Sequence, residues 1–411
     1  MTVYFSKGDA LQPANLIAEI VANHDSSRAL RQDIHAHPEL CFAEVRTAEL
    51  VATQLAAWGI PLERGMGKTG VVGIIKSGDS ERAIGLRADM DALPITEQNQ
   101  FAHSSRHPGK MHACGHDGHT AMLLAAAQHL ASNKTFDGTV YLIFQPAEEE
   151  GGGANVMIQD GLFERFTMQA VYGMHNWPGM AAGQFAVSSG PVMASSNTFN
   201  ILIRGQGCHA ALPHLGLDPV PVAAQIILAL QTILTRNVNP LEAGLLSVTM
   251  VHAGQAYNVI ADHCELAGTV RTFSAELLDL LEQRMQEIAR HICLAHGMDC
   301  DFTFKRNYPT TVNHLQPTAI ARQVMTEIVG AENVLPQQPT MGAEDFGFML
   351  QKIPGCYCFI GNGAGEHRSP GHGTGPCMLH NASYDFNDDI LPLGATYWVK
   401  LVEACLPKES A

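Results

Sequence analysis

The chain has 411 residues, beyond the size at which a single hydrophobic core usually stops growing, so two domains are expected. Its 40 acidic against 25 basic side chains give a formal charge of -15, which repels phosphate backbones and anionic membrane surfaces and argues against nucleic acid or membrane as partners. The start, Met1 to Asp9, has no basic segment followed by an apolar one, no stretch reads as long and apolar enough to span a bilayer, and the 10 cysteines are scattered, so a cytoplasmic protein with reduced thiols is expected.

The first third alternates helical and strand patterns. A helix-period run at Leu16, Ile17, Ile20 and Val21 opens it, and a second helix from Glu44 to about Trp58 is stopped by Gly59-Ile60-Pro61. Strands are expected at Gly70 to Lys76, Ala83 to Ala88 and Thr139 to Phe144, with a small-residue helix from Thr120 to Ala131 between the last two. This is an α/β layout with a mostly parallel central sheet.

From Asn197 the rhythm changes. A strand from Thr198 to Arg204, a helix from Pro219 to Leu234, strands Leu245 to His252 and Cys264 to Thr272, a helix from Ala275 to Ala295 and a strand from Asp301 to Arg306 follow one another. The order β-α-β-β-α-β is that of the ferredoxin-like split unit, which can bury a core of its own. The α/β pattern then returns with a helix from Thr318 to Val329, a strand near Tyr357 to Ile360 and a helix from about Ile390 to Ala404. The expected organisation is a discontinuous catalytic domain over 1–192 and 312–411, with an α+β domain inserted at 193–311. Cys356 and Cys358 fit simple alternation within an apolar strand.

The chemistry concentrates in Met111-His112-Ala113-Cys114-Gly115-His116-Asp117-Gly118-His119. Cys114 and His116 are two apart, so in an extended segment both side chains would project to one side and could contact one metal ion. Sulfur beside imidazole and carboxylate suits Zn, Mn, Co or Ni better than Ca or Mg. Glu148-Glu149-Glu150 follows an apolar strand and leads into three glycines. Adjacent carboxylates there fit a division in which one binds metal while its neighbour deprotonates an attacking water, although a glutamate run alone also fits a solvated turn. His175, at the end of the strand Ala170 to Met174, and His380, in Met378-Leu379-His380-Asn381, are ambiguous when taken singly.

Six ordered motifs resolve that ambiguity: Asp33-Ile34-His35-Ala36-His37-Pro38-Glu39-Leu40, Leu86-Arg87-Ala88-Asp89-Met90-Asp91-Ala92-Leu93-Pro94, His112 to Thr120, Gln145-Pro146-Ala147-Glu148-Glu149, Gly173-Met174-His175-Asn176 and Met341-Gly342-Ala343-Glu344-Asp345-Phe346. Through them the chain resembles, nearly end to end, the two-metal aminoacylase and carboxypeptidase amidohydrolases, in the branch holding hippurate hydrolase and the indoleacetyl-amino-acid hydrolases. The resemblance implies two divalent ions held by Cys114, His116, Glu149, His175 and His380, with the Cys114 thiolate bridging them. It implies Glu148 as the general base, taking a proton from the attacking water and delivering it to the leaving amine. Asp91 matches the carboxylate that orients a ligand.

In the inserted domain, Gly205-Gln206-Gly207-Cys208-His209-Ala210, Tyr257-Asn258-Val259-Ile260 and Gly268-Thr269-Val270-Arg271 also match. There the resemblance implies that Asn258 and Arg271 hold the substrate carboxylate, that His209 stabilises the oxyanion, and that the domain acts as a lid and pairs subunits into a homodimer, or a tetramer built of dimers. His209 would then be able to act across the interface. Cys208 stands where a smaller residue is usual. The expected reaction is hydrolysis of small N-acyl or N-aroyl amino acids, hippurate-like compounds first. Rivals are a dipeptidase or carboxypeptidase of the same fold, an enzyme with Cys114 as nucleophile, and a non-catalytic protein that binds acyl-amino acids.

Overall fold

The computed structural model describes residues 15–368 and 370–408; Met1 to Asp9, the segment expected to carry no secretory signal, lie outside the described residues. The chain divides into two compact units. One runs through Gly190 and resumes at Val312–Gln338 and from Asp345 on; the other is Pro191–Thr311 with Pro339–Glu344.

The first unit is built on an eight-stranded, mostly parallel sheet. From one edge its order is Leu62–Met66, Gly70–Ser77, Gly138–Gln145, Ala83–Asp89, Ala170–Pro178, Gly355–Gly363, Phe185–Ala186 and Val334–Leu335. Gly138–Gln145, Ala83–Asp89, Ala170–Pro178 and Gly355–Gly363 pair in parallel, while the two strands at the Leu62 edge are antiparallel. Ala83–Asp89 is buried at every position, as a central strand covered on both faces must be. Two of its seven side chains are nevertheless charged, Arg87 and Asp89, and they answer each other directly, Nη1 to Oδ2 at 2.6 Å. The helix His116–Ser132 is buried along most of its length and packs against the helices His24–Ala36 and Leu391–Cys405.

Helix His24–Ala36 has no counterpart among the sequence expectations. Its buried positions are Arg31, Ile34, His35 and Ala36, so polar side chains occupy half of them, and Leu30 and Ile34 are the large apolar residues turned to the core. Arg31 is fully enclosed and reaches Asp388 at 2.7 Å, Asp385 at 3.2 Å and Asp117 at 3.4 Å. His35 lies 2.8 Å from Asp117 and 3.2 Å from Glu97.

The second unit carries a four-stranded antiparallel sheet in the order Gly244–Ala253, His263–Thr272, Ser196–Arg204, Asp299–Tyr308. The helices Pro219–Arg236 and Ala275–Ala295 complete the β-α-β-β-α-β succession around a separate core of Ile201, Ile226, Leu230, Leu266, Leu281 and Met285. Pro339–Glu344 groups with this unit because Ala194 N–H donates to the Thr340 and Gly342 carbonyls, and Thr340 N–H to Val192. One expectation needs correction. Helix Pro219–Arg236 is, by length and composition, long and apolar enough to cross a membrane. Its Val222, Ile226, Leu230 and Ile233 are spent on the unit's own core, as in an ordinary amphipathic packing helix.

Candidate metal centre

The sheet delivers its polar groups at the carboxyl ends of parallel strands, the usual collecting point in open α/β sheets. Asp89 ends one strand opposite Gln145, which ends the next, and His175 lies in the third, opposite Phe359. Asp91, Glu148 and Glu149 follow these ends on short connections.

Cys114 and His116 do converge, but not through an extended segment. Gly115 caps the helix in the left-handed region with φ 92° and turns the chain between them. No side chain fits there, since a Cβ on Gly115 would lie 2.2 Å from Asn176 Nδ2 and 2.5 Å from the Tyr384 hydroxyl oxygen. Those atoms are engaged: Asn176 Nδ2 donates to the Cys114 carbonyl at 2.6 Å, and Tyr384 donates to Asn176 Oδ1 at 2.7 Å.

The five candidate ligands fall into two groups. Cys114, His116 and His175 each offer a donor atom within 4.8 Å of the others, and so do Cys114, Glu149 and His380. Cys114 is the member common to both. Its Sγ lies 3.3 Å from His175 Nε2, and Glu149 Oε1 lies 3.2 Å from His380 Nε2. His380 is exposed and left-handed at φ 60°, and its N–H donates to the Ala113 carbonyl at 2.8 Å, tying this late loop to the Cys114 segment. Glu148 is buried, and its carboxylate stands within 4.8 Å of the donor atoms of His116 and Glu149.

Neighbouring groups decide which ring nitrogens are free. His116 Nδ1 points at Asp91 Oδ1 at 3.1 Å, and His175 Nδ1 donates to the Asn176 carbonyl at 2.6 Å, so in each ring Nε2 is the nitrogen turned to the cluster and available to a metal ion that displaces any proton on it. His119 is already committed. Its Nδ1 donates to Asp89 at 2.6 Å and its Nε2 accepts the Asn176 N–H at 2.9 Å. His112 is buried with neither ring nitrogen hydrogen-bonded, and burial lowers its pKa to about 4, which keeps it neutral.

The electrostatics are those of a cation site. Burial lowers the proton affinity of His116, but the carboxylates of Asp89, Asp91 and Glu149 prevail and raise its pKa to about 10. Burial, then Glu149, Glu148 and Asp89, push the Cys114 thiol well above the ordinary range. Burial pulls His175 well below it, helped by His119 and His116. The surroundings therefore favour positive charge at His116 and penalise a bare thiolate, a combination that a divalent cation satisfies while releasing protons. His116 Nε2, buried without a hydrogen-bond partner, is an orphan of the kind a metal ion would satisfy. One sulfur, three imidazole nitrogens and a carboxylate, grouped about a common sulfur, thus fit a pair of borderline cations.

His209, Asn258 and Arg271 belong to the second unit. His209 is exposed on the two-residue strand Cys208–His209, opposite Val259, and the next residue's N–H donates to the Asn258 carbonyl at 3.0 Å, so His209 and Asn258 are neighbours. Arg271 is partly buried on His263–Thr272, with Nη1 enclosed and lacking a hydrogen bond, and burial lowers its pKa.

Several residues that enter the sequence motifs without an assigned role have structural parts to play. Arg87 donates from Nε to Gln145 Oε1 at 2.9 Å, from Nη1 to Asp89 and from Nη2 to Asp345 Oδ1 at 3.0 Å, while the Asp345 amide approaches Glu148 Oε1 at 3.4 Å. Burial would raise the Asp89 pKa, yet His116, Arg87 and His119 hold it well below the usual carboxylate range. A charged pair inside an otherwise apolar strand was the available signal.

Residues 85–404 match the family described as peptidase family M20/M25/M40. Hippurate hydrolase from Campylobacter jejuni is 40% identical over 388 residues, covering 94% of this chain and 98% of that protein. Thermostable carboxypeptidase 1 from Saccharolobus solfataricus is 38% identical over 373 residues, covering 89% and 92%. Among solved structures, the Bacillus subtilis YXEP protein, described as a dinuclear metal binding peptidase, superposes with a TM-score of 0.80 at 32% identity, over 93% of this chain and 98% of that one.

Proposed function

The chain belongs to peptidase family M20/M25/M40, and from that premise we propose that it is a two-metal amidohydrolase cleaving the amide bond of N-acyl and N-aroyl amino acids, hippurate-like compounds first, to a carboxylic acid and a free amino acid. The observation that carries this reading is the sharing of Cys114 between two ligand triads, with the buried Glu148 carboxylate beside them. Hippurate hydrolase among the relatives supports the substrate class.

In this reading Cys114, His116 and His175 would hold one ion and Cys114, Glu149 and His380 the other, as Mn, Zn, Co or Ni. Bound there, the pair would polarise the scissile carbonyl and acidify the attacking water. Glu148 removes the water's proton and returns it to the nitrogen of the leaving amino acid, so one carboxylate serves as base and then as acid. Asp91 keeps His116 oriented. Arg271 grips the substrate carboxylate with Asn258, a role suited to a guanidinium in a protein of net negative charge, and His209 donates to the oxyanion. The second unit serves as lid and subunit-pairing domain of a homodimer, or of a tetramer built of dimers, in the cytoplasm. All ten cysteines being free agrees with a reducing compartment.

A dipeptidase or carboxypeptidase activity is the second reading, favoured by the carboxypeptidase relative. A hydrolysis panel on metal-reconstituted protein separates the two: benzoyl, acetyl and indoleacetyl amino acids against free dipeptides. N-acyl amino acids should be turned over faster, and dipeptides outrunning all of them would overturn the first reading. Glu148→Ala should lose about 10²–10⁴ in kcat with metal retained; wild-type turnover in that variant would remove Glu148 from the chemistry, and full activity after chelation would remove the metals.

A further inference from the structure

Glu44 is fully buried and belongs to none of the candidate ligand groups. Its Oε1 accepts two backbone N–H groups, from Phe42 at 3.0 Å and from Ala147 at 2.9 Å, and its Oε2 accepts the Thr69 hydroxyl at 2.6 Å. Both amides belong to non-glycine residues in the left-handed region, Phe42 with φ 59° and Ala147 with φ 55°. Such a conformation is unfavourable for a residue carrying a Cβ and persists only where surrounding contacts impose it.

Packing agrees with the hydrogen bonds. A Cβ on Gly151 would lie 2.6 Å from Cys41 Sγ, 2.6 Å from the Phe42 ring and 2.7 Å from Ala147 Cβ, so the 41–44 elbow fits closely against the turn from Ala147 to Gly151. The Ala147 carbonyl accepts the Gly153 N–H at 3.0 Å. Ala147 is therefore fixed on both sides, its N–H by Glu44 and its C=O by Gly153, and the next residue is Glu148.

We propose that Glu44 is a positioning residue for the hydrolytic base: by imposing the left-handed turn at Ala147 it sets where the Glu148 carboxylate stands. The inference rests on the reading of Glu148 as base. Glutamate suits the task because its two oxygens accept all three donors, and charge-assisted bonds to backbone amides are the stronger kind. Glutamine keeps one oxygen for both amides, and the Thr69 hydroxyl can turn to accept from the new amide. Aspartate keeps the charge but loses the reach.

The test compares Glu44→Ala, Glu44→Gln, Glu44→Asp and Glu148→Ala as metal-loaded holoenzymes, reading kcat, KM, metal per chain and Tm on one N-acyl amino acid that the parent enzyme hydrolyses. Glu44→Ala should lower kcat about 10- to 100-fold, the scale on which small misplacements act, with KM within about threefold and metal content unchanged. Glu44→Gln should recover kcat to within about fivefold of the parent, and Glu44→Asp should resemble alanine. Should the alanine variant fail to fold, the Gln and Asp pair carries the comparison. A crystal structure of Glu44→Asp or Glu44→Ala should show Ala147 at negative φ. A Glu44→Ala kcat within twofold of the parent, a loss that follows metal loss, or glutamine no better than aspartate would each overturn the proposal. If Glu148→Ala is inactive while Glu44→Ala is not, only this inference fails; if Glu148→Ala is fully active, the reading beneath it fails.

Discussion

Asp91 meets His116 with one carboxylate oxygen, Oδ1 to Nδ1 at 3.1 Å, while the other accepts the amide N–H of Glu149 at 2.9 Å. One side chain thus steadies a donor from each of the two triads. Asp91→Ala should weaken metal binding about 10- to 100-fold, the usual cost of removing such a partner. Competition against a chromophoric chelator measures it. Unchanged affinity would mean that His116 and Glu149 hold their places unaided.

The shared thiol predicts an asymmetry between variants. His380→Ala removes a member of one triad and should leave about one metal per chain under conditions that load the parent with two. Cys114→Ala removes the common donor and should weaken both ions together. Metal analysis after gel filtration, alongside a Tm that falls when metal is withdrawn, distinguishes the patterns. If Cys114→Ala still binds two ions tightly, the sulfur is not a bridge.

The pH dependence of stability should carry the mark of His35. Burial alone would lower its pKa, but Asp117 and Glu97 raise it from 6.5 to about 10. A base with a raised folded-state pKa stabilises fully below its unfolded value, so the contribution is complete below about pH 6.5 and lost as pH rises through about 10. Asp117 is held low, against the effect of burial, by His35, His112 and Arg31, and so contributes in the opposite sense, its share lost only in strong acid. Thermal melts from pH 6.5 to 10 should fall for the parent by an amount on the order of a few kcal/mol and fall less for His35→Gln. Parallel curves would mean that His35 is neutral in the fold.

Gly115→Ala should be among the most damaging single-methyl changes. The added carbon would meet Asn176 and Tyr384 at 2.2 and 2.5 Å, in a backbone conformation that alanine resists. Overpacking and positive φ together should cost about 2–5 kcal/mol, visible as a lowered Tm and weakened metal binding. A stable, fully loaded variant would show that the turn can relax.

Legibility in the sequence followed the range of the interaction. Cys114 and His116 lie in one short run, so their association was visible, although not the left-handed Gly115 that produces it. His175 comes from a central strand and Glu149 and His380 from two separate loops, so no spacing links them to one another; only the family resemblance gathers them. Parallel strands read well from apolar runs, whereas Leu62–Met66 is short, half exposed and at an edge, and helix His24–Ala36 hides arginine and histidine where apolar residues would announce a buried face. The Arg87, Asp89 and Asp345 network depends on strand register and on a contact 258 residues apart in the chain.

The two triads differ in how firmly the fold holds them. His116 begins a long buried helix and His175 lies within a central strand, whereas Glu149 and His380 come from loops, and the His380 side chain is 54% exposed. Under the proposed assignment, the inner ion would be acquired once and kept, while the outer one would exchange with whatever divalent cations the cell supplies. The second ion's identity would then be a property of growth conditions as much as of the protein, and preparations from different media should differ in turnover before they differ in fold.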